Sequence, residues 1–231
     1  MMDLEIVLQQ LSRFNFMTQL LIFSLENISL LLLAVLIGKL IEPANTVLNP
    51  KDRKWVISCL ICNIFVTALG FELYQLQIVK IDFYHDLVAI ILDTLLLIVL
   101  MDFFMFCFHY LAHTLKWFHP IHKLHHTHIE TNVYSLFVLH PIETLGFGFI
   151  WLILISIFQL NYISLTIYLF LNLLYGIFGH LEKNIFPAFW YKNHFTKWIS
   201  TTKFHSDHHK NQSHNFGFYF TFWDKIFKTI I

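Results

Sequence analysis

The sequence has little charge and little cysteine. Asp, Glu, Lys and Arg make up 13% of its 231 residues, and their charges cancel. Without a basic face to meet phosphate charge, the chain is not expected to bind nucleic acid. Its three cysteines lie in apolar stretches, so neither a disulfide framework nor a thiolate metal site is indicated.

Apolar side chains are abundant instead. Hydrophobic residues make up 57% of the chain and aromatic residues 18%, and the mean hydropathy is +0.61, which is not typical of a soluble domain. Apolar stretches that can cross, or nearly cross, a hydrocarbon core of about 30 Å cover residues 18–41, 55–72, 87–108, 143–160 and 162–179. We predict an all-α integral membrane helical bundle of four to five spans, with the last two as a hairpin.

The distribution of Lys and Arg predicts how the spans are oriented. If the loop 42–54 is cytoplasmic, residues 109–142 and 180–231 lie on the same side. Only Arg13 and Lys80 then lie on the opposite side, which is the bias that the positive-inside rule expects. We therefore predict a multi-pass protein in which residues 109–142 and 180–231 face the cytoplasm.

Histidines cluster at the predicted cytoplasmic ends of the spans. The HxxxH spacing places His109 and His113 on one face of a helix. The HxxHH spacing occurs twice and predicts three imidazoles on one face in each case. Pro120 suits the first turn of the first HxxHH helix, and Thr201 or Thr202 can cap the second. The candidate metal ligands are His109, His113, His122, His125, His126, His180, His205, His208 and His209.

These histidines predict a dinuclear metal site. Neutral imidazoles are good ligands for iron, copper, nickel and zinc, and their number exceeds the capacity of one ion, so two ions with about three to five nitrogens each are expected. Asp102 precedes His109 by two helical turns and can accept the second N–H of that imidazole, or form an interhelical hydrogen bond with no role at the metal. Asn184, His140 and His128 are further candidates for the metal ions or for contacts to their ligands.

The chain resembles the fatty acid hydroxylase and sterol desaturase superfamily of membrane-bound di-iron oxygenases. The resemblance runs from about Asp102 to Thr229. Related hydroxylases have a further histidine four residues after the position of His180, where this chain has Asn184. Either Asn184 binds through water or the site lacks that ligand. The resemblance is carried by the HxxxH and HxxHH motifs, His140-Pro141, Asn215-Phe216-Gly217, Trp223-Asp224-Lys225 and Phe227.

The resemblance implies one membrane oxygenase domain over residues 1–231, with anchor spans in 1–100 and a catalytic histidine-motif region in 101–231. It implies two Fe ions, O₂ as co-substrate, and hydroxylation or desaturation of an unactivated C–H bond in a fatty acyl, sterol or isoprenoid lipid. Because the chain has no GxGxxG loop or flavin motif, electrons must come from a separate donor, such as a cytochrome b5-like protein, a ferredoxin or a reductase.

Two other functions stay open, and so does the identity of the membrane in which the chain lies. A zinc-dependent membrane hydrolase needs a carboxylate base, and the HExxH motif is absent. A histidine-rich metal transporter or sensor would bind ions near the middle of its spans, whereas these histidines lie at span ends. Asp3 and Glu5 replace the basic start of a signal peptide, so we expect the chain to be retained whole. Its small size favours a bacterial inner membrane.

Overall fold

A computed structural model describes residues 4–230 and shows a mostly helical chain. Two short strands, β1 (Ile81–Asp82) and β2 (Leu160–Asn161), pair in parallel, with Ile81 opposite Leu160. The helices are α1 (Leu4–Leu11), α2 (Phe16–Ile41), α3 (Arg53–Gln75), α4 (Leu87–Thr114), α5 (His119–His122), α6 (Pro141–Ile157), α7 (Tyr162–Gly179), α8 (Thr202–Lys210) and α9 (Phe222–Phe227).

Four helices are long and apolar enough to cross a membrane: α2, α3 with the turn before it, α4 and α7. Helix α6 has 17 residues and is shorter. Large apolar side chains cover the outside of the spans, for example Leu32 at 62% exposure and Leu92 at 60%, as contact with lipid tails requires. The buried core lies among α3, α4, α6 and α7 and includes Leu97, Leu152 and Tyr168. The chain is a multi-pass membrane bundle, as its apolar stretches predict.

The connection before α7 sets the level at which the spans begin. The side chain of Asn161 donates to the carbonyl of Tyr84 at 2.6 Å and accepts from the N–H of Ile163 at 2.9 Å. The N–H of Asn161 donates to Asp93 at 2.7 Å. Helices α4 and α7 therefore start together and run in parallel. The predicted hairpin connection between α6 and α7 is present, but α6 packs mainly on α3 and α7 mainly on α4.

A non-helical C-terminal segment, residues 214–221, packs against two spans. The fully buried Asp102 on α4 accepts hydrogen bonds from the N–H groups of Tyr219 at 2.6 Å and Phe220 at 3.4 Å, and the Tyr219 hydroxyl donates to Asn172 on α7 at 2.7 Å. Unpaired backbone N–H groups beside a span are costly, so this carboxylate stabilises the segment. The expected hydrogen bond between Asp102 and His109 is absent, because the Nδ1–H of His109 donates to the carbonyl of Phe216 instead.

Candidate metal centre

The nine candidate histidines come together in two groups. Within each group the facing ligand nitrogens lie within 4.8 Å of one another. Nitrogens on opposite sides of one ion are about 4 Å apart, so each group has the size of a single metal site. The five-histidine group is His109, His113, His122, His126 and His208, and the four-histidine group is His125, His180, His205 and His209.

The first HxxHH motif divides its histidines between the groups. His122 and His126 belong to the five-histidine group, whereas His125 belongs to the four-histidine group. The three imidazoles do not face one ion as predicted, because the neighbours His125 and His126 point to different groups. They lie in a 3-10 turn that follows the single turn of α5.

The second HxxHH motif makes the reverse division on an intact helix. His205 and His209 on α8 belong to the four-histidine group, and His208 belongs to the five-histidine group. Successive residues project about 100° apart around a helix, so the neighbours His208 and His209 face different groups. Thr201 caps α8 by accepting a hydrogen bond from the N–H of Phe204 at 3.3 Å. The two groups adjoin along this helix.

Helices α4 and α7 supply the remaining ligands at the ends of spans. His109 and His113 lie four residues apart on α4 and join the same group, as the HxxxH spacing predicts. His180 follows the last residue of α7, and its ring Nδ1 bonds to the carbonyl of Gly176 at 2.8 Å. The parallel course of the two helices brings these three imidazoles to the same end of the bundle.

Backbone carbonyls orient two imidazoles of the five-histidine group. The Nδ1–H of His109 donates to the carbonyl of Phe216 at 2.9 Å, and the Nδ1–H of His208 donates to the carbonyl of His214 at 2.6 Å. A neutral imidazole that donates from Nδ1 carries its lone pair on Nε2. Both lone pairs therefore point into the group.

The inward nitrogens face one another at short distances. The Nε2 of His126 lies 3.0 Å from that of His122 and 3.1 Å from that of His208. In the other group the Nε2 atoms of His180 and His125 are 3.3 Å apart. The Nε2 atoms of His122 and His208 carry lone pairs because their Nδ1–H groups donate elsewhere. The ring of His126 can donate to only one of the two, whereas a cation between the rings would accept all of their lone pairs. The donor sets therefore fit two metal ions with nitrogen ligands.

Burial keeps these imidazoles in the neutral form that metal binding needs. It lowers the pKa of His180 to about 4 and that of His209 to about 3. Burial is also the main cause of the lowered pKa of His125, His205 and His208, and neighbouring imidazoles add to it. Each group is thus ready to bind a cation without first releasing protons near neutral pH.

Glu143 is a site residue that the sequence analysis missed. It lies in the first turn of α6, is 1% exposed, and its Oε1 accepts a hydrogen bond from Nδ1 of His122 at 2.6 Å. A carboxylate behind a ligating imidazole fixes the ring and raises its basicity. The available signal was its position just after His140-Pro141, since an acid in an apolar helix needs a partner.

The other three candidates lie outside both groups. Asn184 is exposed and accepts hydrogen bonds within its own loop. The ring of His128 bonds to Asp52 at 2.9 Å, and the ring of His140 accepts from the N–H of Ile142 at 3.3 Å as the cap of α6. Nearby polar groups therefore occupy all three side chains. Asn184 does not supply the further ligand that the position after His180 has in related hydroxylases.

The C-terminal residues hold the carbonyl that orients His109. The buried Asp224 accepts hydrogen bonds from the N–H groups of Phe216 and Gly217, both at 2.8 Å. A Cβ at Gly217 would lie 2.3 Å from the carbonyl oxygen of Phe220, so only glycine fits. Together with Asp102, the Asp224 carboxylate fixes the path of segment 214–221 behind the imidazoles.

The chain is similar to a family of known proteins. The chain matches the family model described as Fatty acid hydroxylase over residues 94–229, more than half of its length. It is 30% identical to methylsterol monooxygenase 1 of Gallus gallus over 131 residues, which are 57% of this chain and 43% of that protein. It is 23% identical to cholesterol 25-hydroxylase of Rattus norvegicus over 146 residues, 63% of this chain and 49% of that protein. The chain thus spans less than half the length of these curated relatives, and no solved structure matches it.

Proposed function

This chain belongs to the fatty acid hydroxylase family, and on that premise we propose that it is an O₂-dependent lipid hydroxylase or desaturase with one iron ion in each histidine group. The substrate is a fatty acyl, sterol or isoprenoid lipid with an unactivated C–H bond. The relatives are named as a monooxygenase and a hydroxylase of sterols, which favours hydroxylation of a sterol-like lipid.

The division of nine histidines into adjoining groups of five and four is the observation that carries the proposal. Bound iron would supply the reduction of O₂ and the attack on the C–H bond. The protein supplies the imidazole ligands, and the carbonyls of Phe216 and His214 with the carboxylate of Glu143 orient three of them. Imidazoles that are oriented in this way would hold bound ions in place.

The substrate approaches from the side of the four-histidine group. That group has four imidazoles and the other has five, so an ion held there would have more room for reactants. A narrow crevice of about 10 Å³ lies beside it, and four of its nine lining residues are phenylalanine or tyrosine. That space is no larger than one water molecule, so a lipid would have to move these side chains to reach the group. The crevice is lined by Tyr175, Phe178, Gly179, His180, Phe186, Ser200, Thr201, His205 and Phe218.

Electrons come from a separate donor, such as a cytochrome b5-like protein, a ferredoxin or a reductase. The excess of Lys and Arg at the histidine end of the spans supports a cytoplasmic site. A bacterial inner membrane stays a prediction, and the relatives are from eukaryotes.

The structure offers less support to the two other functions. A zinc-dependent hydrolase needs a free carboxylate base, but Glu143 is already bonded to His122. A transporter would place its ligands near the middle of the spans, and both groups lie where spans end.

Lipid analysis of membranes that contain the native chain or the His125→Ala variant tests the proposal. We expect a lipid with a new hydroxyl group or double bond only with the native chain and only in the presence of O₂. The purified native protein should hold one iron ion per histidine group. His194→Ala, which changes an exposed histidine outside both groups, is the matched control. Zinc in place of iron, or a product formed without O₂, would overturn the proposal.

A further inference from the structure

Residues 184–198 form a surface that the metal centre does not explain. We propose that this segment, which we call the aromatic segment, lies in the headgroup region of the membrane and binds anionic lipid. Its sequence is NIFPAFWYKNHFTKW, in which aromatic residues alternate with two lysines. No acid occurs between Glu182 and Asp207, a composition that suits an anionic lipid surface.

Four of the six aromatic side chains of this segment are exposed. Phe195 is 84% exposed, the highest value of any large apolar residue within residues 4–230, and Phe189 is 63% exposed. Tyr191 and Trp198 are 39% and 40% exposed. Aromatic rings of this kind collect at membrane interfaces, where one part of the ring contacts lipid and another contacts water.

The segment is a formed surface with its own hydrogen bonds. The side chain of Asn193 accepts from the N–H of Phe195 at 2.9 Å, and the hydroxyl of Thr196 donates to the carbonyl of Trp190 at 2.7 Å. The N–H of Thr221 donates to the carbonyl of Trp198 at 2.8 Å. The exposed rings are therefore held in place by a paired backbone and do not result from a loose loop.

The segment lies at the level where a span leaves the membrane. The ring of Phe186 packs on that of Phe178, at 6.5 Å between centroids, and Phe178 is in the last turn of α7. Aromatic rings attached to the last turn of a span are at headgroup depth. Lipid is already present at this depth, so the exposed rings need no soluble protein to cover them.

Lysines beside the rings provide the attraction to anionic headgroups. The ammonium groups of Lys225 and Lys197 lie 3.7 and 5.3 Å from the ring centroid of Trp198. Long lysine side chains near span ends extend towards phosphates while their methylene stems cover apolar surface. The positive charge favours phosphatidylserine over phosphatidylcholine at this surface.

A nitroxide at position 195 tests the depth of the segment. Phe195→Cys, in a background where Cys59, Cys62 and Cys107 are replaced by serine, is labelled in full-length protein in nanodiscs of phosphatidylcholine and phosphatidylserine. We expect O₂, which is enriched in lipid, to relax this label severalfold more strongly than a water-soluble nickel chelate. The same label at Ser213→Cys, in the exposed turn that follows α8, should show the opposite preference. Equal access of the nickel chelate to both positions would overturn the proposal.

Lipid selectivity provides a second measurement. The association of spin-labelled phosphatidylserine and phosphatidylcholine with the protein gives their relative binding, and each lysine near the surface contributes about a fivefold preference at most. Lys192→Gln with Lys197→Gln should lower the preference for phosphatidylserine, whereas Lys80→Gln at the other end of the spans should not. An unchanged preference in the double variant would contradict the proposal. So would a label at position 195 that becomes protected only when an acidic electron carrier is added, because the surface would then bind a protein.

Discussion

The two histidine groups differ in how firmly their imidazoles are held. In the five-histidine group, the outer nitrogens of His109, His122 and His208 bond to two carbonyls and a carboxylate. In the four-histidine group, His180 bonds to a carbonyl of its own helix, while the Nδ1 of His125 is buried with no partner within residues 4–230. The Nδ1 of His126 in the five-histidine group likewise has no partner there. Outer hydrogen bonds thus hold three of five rings in the first group and one of four in the second, which also has an adjoining crevice.

This difference indicates a division of roles between the proposed ions. Outer hydrogen bonds fix imidazole orientation and increase metal affinity, so the five-histidine group should bind its ion more tightly. A site with a free position and more adaptable ligands is better suited to accept reactants. We therefore expect substitutions in the two groups to have different effects on metal content, even where they have the same effect on product.

The largest expected effect comes from removing one ligand from each group. His208→Ala leaves four imidazoles in the five-histidine group, as many as the other group has, so part of its iron should remain. His205→Ala leaves three in the four-histidine group, and that ion should be lost. Product should fall by more than about 100-fold in both variants, since even the loss of a bond behind a ligand costs about 10- to 100-fold.

Iron per chain and lipid product, measured on the same preparations, check this prediction. The exposed His194→Ala should match the native protein in both measurements. Equal iron loss in His208→Ala and His205→Ala would remove the difference between the groups.

A smaller effect is expected from Glu143→Gln. The amide has the same shape as the carboxylate but no charge, so the Nδ1–H of His122 loses its charged acceptor. The affinity of the five-histidine group for its ion should fall by about 10- to 100-fold, with no change at the four-histidine group. Competition with a metal chelator measures the two affinities as two phases, and Glu130→Gln, an exposed acid, is the control. If the weaker phase changes instead, the assignment of rigid and adaptable groups is reversed.

Acidification should destabilise the protein through both histidine groups, so in this respect the two groups should behave alike. The folded pKa of His180 is about 4 and that of His209 about 3, below the value of about 6.5 in an unfolded chain. The unfolded chain therefore binds more protons below about pH 6.5, and the stability of the iron-free protein falls as pH decreases from there. Thermal unfolding of iron-free protein in detergent should show Tm decreasing between about pH 7 and pH 5. His180→Gln should make this dependence shallower, and a flat profile in the native chain would show that these imidazoles are not buried.

The smallest expected effect comes from Asn184→His. This substitution restores the histidine that related hydroxylases have at this position. Because Asn184 is exposed and bonded within its own loop, the new imidazole should not reach the four-histidine group. Iron content and product should equal those of the native chain, with Asn184→Ala as the control for loss of the loop contacts. A gain of iron in the histidine variant alone would place this loop at the metal.

Much of the fold could be predicted because the signals are local. A span is set by about 20 consecutive apolar residues. The four helices that are long enough to cross a membrane therefore follow from composition, and the candidate histidines follow from spacing. The HxxxH pair on α4 and the cap of α8 at Thr201 also depend only on helix geometry. These features need no knowledge of what packs against them.

Other features depend on neighbours that are distant in the sequence. Asp102 lies on the same face of α4 as His109, but its Oδ1 accepts from the backbone of Tyr219 and Phe220, and the imidazole of His109 donates to the carbonyl of Phe216. Glu143 is 21 residues from His122 and becomes its partner only when α6 packs beside the motif. Sequence spacing shows which residues share a face of one helix. It does not show which groups from distant segments will form hydrogen bonds with them.

The sequence by itself determined that this chain is a helical membrane protein with a set of imidazoles large enough for two ions, because hydropathy and residue type are properties of each residue. Only the tertiary structure decided which imidazole belongs to which group. The rotation of adjacent residues around α8 sends His208 and His209 to different groups. The turn that follows α5 does the same for His125 and His126. That assignment depends on where four helix ends meet, and it is set by packing between segments far apart in the chain.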